Sequence, residues 1–118
     1  MTKVLAFAAI AEAATGLALL IAPSLVGQLL LGAELTGAGI PAARVAGIAL
    51  IGLSIACLPG LAVAGMLTYS ALVTVYLGYI ASGGEWVGPL LWPAVVLHAL
   101  LTLLLARVWF KPQRDRPT

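Results

Sequence analysis

Residues 3–22 read KVLAFAAIAEAATGLALLIA, an apolar run closed by Pro23-Ser24 and broken by a single acid, Glu12. A helix of about 20 residues reaches roughly 30 Å, the thickness of a bilayer's hydrocarbon core. Comparable runs follow. The sequence predicts further helices over about 42–58, 61–82 and 86–110, separated by the loop Glu34 to Pro41, the turn Pro59-Gly60 and the loop Gly83-Gly84-Glu85. The stretch 25–32, apolar apart from Gln28, either extends the first helix or lies along the interface, and the interfacial form is favoured because the span is already complete at Ala22.

Composition points the same way. The chain has 118 residues, 63% hydrophobic and 8% charged, with mean hydropathy +1.14. A soluble domain carries about a quarter charged residues, so this chain could not coat a water-facing surface. The expected fold is all-α, a polytopic membrane protein forming one four-helix transmembrane bundle over residues 1–118. Leu20-Ile21-Ala22 lacks the small-x-small pattern of a signal-peptide cleavage site, so the first helix is expected to be retained.

Of six basic residues, four fall in the last twelve positions: Arg107, Lys111, Arg114 and Arg116. This cluster reads as an anchor to anionic headgroups and not as a nucleic-acid patch. With Lys3 it places both termini in the cytoplasm and turns the Glu34 and Glu85 loops outward. Trp86 and Trp92 then mark the outer boundary, and Trp109 and Phe110 the inner one. Cys57 is the only cysteine and no Cys/His pattern suggests a metal site; no cofactor or catalytic residue is expected.

Small residues recur every fourth position: Ala14, Ala18 and Ala22, with Ala9 and Ala13 as a second pair, then Ala43 and Gly47, and Gly52, Ala56 and Gly60. Such stripes let helices approach closely in lipid, either within one chain or between copies.

Five polar residues are candidates for binding or proton-linked roles. Glu12 lies roughly 13 Å along helix 1, where a carboxyl is costly unless paired, protonated or wet. His98 lies roughly 14 Å above the Arg107 boundary, and Tyr69 falls at a similar height. The three meet only if each faces the interior. Arg44 stands near the outer boundary at the height of Tyr76, with Tyr79 about a turn further out. It either snorkels outward or bends across a vertical gap of about 9 Å to pair with Glu12. Ser54, Thr68, Ser70, Thr74 and Thr102 are expected to bond back to their own helices.

The layout Glu12, Gly16, Ala22-Pro23, Leu30-Leu31-Gly32, Ala43-Arg44 and Gly47 resembles small bacterial four-helix membrane proteins similar to the DoxX-like families. That resemblance, covering the first half of the chain, implies a bacterial inner-membrane location, and some members accompany membrane redox complexes. The chain size, the four spans, Ala11-Glu12 and Tyr69-Ser70-Ala71 are also similar to the small multidrug resistance exporters, whose helix 1 glutamate exchanges protons for cationic drugs. Three functions follow as expectations. The first is a homo-oligomeric or accessory subunit of a larger membrane complex, embedded in the lipid bilayer with a buried polar cluster. The others are a proton-coupled cation transporter using Glu12, and a quinone- or metal-linked redox subunit using His98 with a partner chain.

Overall fold

A computed structural model of the chain describes residues 3–111. It contains five helices: α1 (Lys3–Ile21), α2 (Pro23–Leu31), α3 (Gly39–Ala56), α4 (Ala62–Gly83) and α5 (Leu91–Phe110). All but α2 are long and apolar enough to cross a membrane. The basic positions Arg114 and Arg116 lie outside the described residues.

The chain's punctuation explains the boundaries. Pro23 has no N–H to return to the carbonyl of Leu19, and Ala22 leaves the helical region at φ −136°, so α1 stops there. The short α2 then ends on Gly32, whose φ of +78° suits glycine. α3 begins at Gly39, three residues earlier than expected, with Pro41 in its first turn where an N–H has no helical partner. The last helix begins later than expected, at Leu91 instead of Trp86. Gly84, at φ +76°, closes α4, and residues 84–90 form a loop that leaves Pro93 in the opening turn of α5.

The chain is all-helical as expected, and its four long helices are arranged as an open row. Among the described residues α1 packs on α3, α3 on α4 and α4 on α5, while α1 touches neither α4 nor α5. The molecule is a flat row, 49 × 37 × 16 Å, its thinnest dimension little more than one helix of roughly 10–12 Å.

Glycine positions on α3 account for this. A Cβ on Gly47 would lie 2.6 Å from the carbonyl oxygen of Gly16, and one on Gly16 would lie 2.7 Å from that of Gly47, so α1 and α3 touch backbone to backbone. A Cβ on Gly65 would lie 2.5 Å from the carbonyl oxygen of Gly52, which brings α3 and α4 equally close. At about 100° per residue, Gly47 and Gly52 sit about 140° apart around α3. Its two neighbours therefore dock on nearly opposite sides, and a row results.

Of the small-residue stripes, Gly47, Gly52 and Ala56 serve contacts within the chain. Ala14 and Ala18 are exposed, and Gly60 belongs to the turn at φ +73°. On α1 the buried positions are Ala9, from the second pair, and Gly16.

Among the described residues the buried hydrophobic ones are only Ala9, Ile48, Val73 and Ala81, whereas Phe7, Ile10, Val75, Leu103 and many others stand exposed. An apolar solvent suits such an exterior. On α2, Pro23 and Gly27 are buried while Leu25, Leu29, Leu30 and Leu31 are exposed, the one-sided pattern of an interfacial helix.

Candidate functional site

The loops 32–38 and 84–90 share one end of the row, and the Cys57–Leu61 turn marks the other. At the loop end the break between α1 and α2 has a chemical consequence. The last carbonyls of α1 lose their helical partners, and the Arg44 side chain, half-buried on α3, donates from Nε to the carbonyl oxygen of Leu20 at 3.2 Å. A cation is favoured at the negative end of a helix. Arg44 thus ties α3 to the end of α1. No ion pair is formed among the described residues, so of the two alternatives for Arg44 the pair with Glu12 is absent: the side chain reaches the freed carbonyl of Leu20 instead.

The guanidinium also lines a cavity of about 530 Å³ between α3 and α4, together with Tyr76, Tyr79, Glu85 and Trp86. The volume lies within the range of small-molecule sites. On α4, positions 76, 79, 80 and 83 follow one helical face, which brings both tyrosines and Gly83 to the opening. Arg44 and Tyr76, both candidates from the sequence, are therefore brought together. Glu85 and Trp86 were legible only as a loop acid and a boundary aromatic, because their place beside the cavity depends on how α3 and α4 meet.

A second centre lies midway along α4 and α5. Tyr69 meets His98 edge to face, ring centroids 5.8 Å apart. The imidazole Nδ1 donates to the Ala94 carbonyl oxygen at 2.8 Å, since a carbonyl only accepts. One turn on, Thr74 and Thr102 each donate to their own helix, at 2.7 Å to the carbonyls of Ser70 and His98, and their hydroxyls lie 3.5 Å apart. Thr68 bonds back as expected, to Ala64. Ser70 departs from that expectation: it is fully buried and its Oγ has no partner.

Glu12 stands apart from both centres. It is half-buried, within about 40° of the face that Ala9 and Gly16 turn to α3. It makes no ion pair or side-chain hydrogen bond among the described residues. The expected layer of Glu12, Tyr69 and His98 is thus split. Tyr69 and His98 meet, while α3 separates Glu12 from them. No group of three metal-ligating side chains occurs among the described residues.

Comparison with protein-family models, curated proteins and solved structures yields no match, so the case for function rests on this geometry.

Proposed function

We propose that this chain is a non-enzymatic integral membrane subunit, embedded with both termini in the cytoplasm, that works in a lateral assembly with copies of itself. The observation that carries this reading is the open row. Both flanking helices have an unoccupied side, and α5 contains no buried residue at all. A second copy laid against these flanks supplies the layer that a closed bundle would have supplied internally. The DoxX-like layout and the basic residues near the C-terminal end support an inner-membrane location.

Native mass spectrometry from lipid nanodiscs tests this reading. The expected result is a discrete multiple of the 12.0 kDa chain. A solitary 12.0 kDa species, unchanged by protein concentration, contradicts it.

That Glu12 has no side-chain partner among the described residues favours one second reading, a proton- or cation-linked transporter. A carboxyl within a span without a protein partner has the freedom to exchange a proton or a cation that a locked ion pair lacks. That reading requires proteoliposomes to move protons in response to an organic cation, and Glu12→Gln to abolish the movement with folding intact. Silent wild-type liposomes eliminate it.

A further inference from the structure

The cavity at the loop end has two poles of opposite charge. Arg44, whose Nε donates to the Leu20 carbonyl as its one side-chain hydrogen bond among the described residues, and Tyr76 line it from within α3 and α4. Glu85 and Trp86 line it from the loop that follows α4, and Tyr79 from the turn of α4 between that loop and Tyr76. Rise along the helices sets the order. Arg44 lies five residues into α3 and Tyr76 seven residues before the end of α4, so both sit roughly 8–10 Å below the loops that carry Glu85 and Trp86. Glu85 and Arg44 line the same space yet make no ion pair among the described residues, so each pole is available to a ligand.

A guanidinium beside a phenol hydroxyl recognises a phosphate or carboxylate. A carboxylate beside an indole recognises an ammonium group, through charge and the ring face. A single ligand that satisfies both carries an anion and a cation a few ångströms apart, with the anion deeper. The headgroup of a zwitterionic phospholipid has that order: its phosphate lies nearer the hydrocarbon and its amine nearer water. We propose that this cavity binds a zwitterionic phosphate–ammonium group of the phosphoethanolamine or phosphocholine class. The phosphate lies at Arg44 and Tyr76, and the ammonium at Glu85 and Trp86. This inference is independent of the assembly proposed above, because every residue it uses comes from one chain.

The test is native mass spectrometry of the full chain from nanodiscs containing equal parts phosphatidylethanolamine, phosphatidylcholine and the anionic phosphatidylglycerol. The wild-type protein is expected to retain a zwitterionic lipid over phosphatidylglycerol by about tenfold, the ratio that one well-placed charge contact of roughly 1.4 kcal/mol provides. Glu85→Gln, on an exposed loop, should erase or reverse that preference. Tyr76→Phe should weaken retention of every phosphate lipid about equally. Arg44→Lys keeps a cation for the fold but loses the planar fork, and should lower retention at least as much. Soluble phosphoethanolamine at millimolar concentration separates the two sources. Displacement of the lipid shows that the headgroup alone is the ligand, and lipid retained against it shows that the acyl chains contribute. Equal or tighter retention of phosphatidylglycerol by the wild type overturns the proposal, as does a preference that Glu85→Gln leaves unchanged.

Discussion

The two sides of α4 are built differently. Toward α3, Gly65 and Gly52 press backbone on backbone with no room for a methyl group. Toward α5, contact is made by side chains: Tyr69 against His98, and Thr74 facing Thr102 across 3.5 Å. The glycine side gains close, extended dispersion contact and depends on shape. The polar side gains little across the helices, because each threonine already bonds its own helix. Lipid does not press helices together by the hydrophobic effect, so close shape fit and hydrogen bonds are what hold such seams there. The α3–α4 seam is thus closed by backbone and the α4–α5 seam by side chains.

Filling the glycine contacts should have the largest effect. Gly16→Leu places a side chain where Gly47 and Ile51 already stand, and should destabilise the folded protein by about 3 kcal/mol or more, read as a loss of folded fraction in mixed-micelle unfolding. Gly65→Ala adds one methyl group 2.5–2.6 Å from Gly52 and Ala56, and should cost about 1–3 kcal/mol in the same assay. A cost below about 0.5 kcal/mol at both positions would remove the distinction between the two sides.

Smaller changes sharpen the comparison. Ser70→Ala removes a buried hydroxyl that has no partner, and should be neutral or stabilising by about 1 kcal/mol. A clear loss of stability would mean that Oγ has a partner in the folded protein. Gly78→Ala lies on the same helix as Gly65 but meets nothing within 4 Å, so it should stabilise by about 0.5 kcal/mol through helix propensity, opposite in sign to Gly65→Ala. Thr74→Val tests the polar side and should cost no more than about 0.6 kcal/mol, the size of an average hydrogen bond between helices in lipid.

The helices were readable in the sequence because length and hydropathy suffice to place a span. Their arrangement was not. Each span is apolar nearly all round, so periodicity carries no statement of rotation. Heights along the helices put Glu12, Tyr69 and His98 in one layer, but height is one coordinate of three, and Glu12 lies on the far side of α3. The glycines held more information than the alanine stripes. Gly47 and Gly52, five residues apart, already encode opposite docking faces on α3, whereas Ala14 and Ala18 form a regular stripe that the fold leaves exposed. Arg44 was legible as a boundary cation. Its partner was not, because the Leu20 carbonyl is freed by the helix break at Ala22-Pro23, far from Arg44 in the sequence.

The row itself is the central claim, and an electron spin-echo distance tests it most directly. Spin labels at Phe7→Cys on α1 and Leu104→Cys on α5, with Cys57 replaced by Ser and the labelled protein diluted into unlabelled copies, report the separation of the two flanking helices. Three helix-to-helix steps of 8–10 Å predict a distance of roughly 24–30 Å. A distance of about 10 Å, one step, would mean that α1 and α5 close on each other, and would contradict the open row along with the case for assembly built on it.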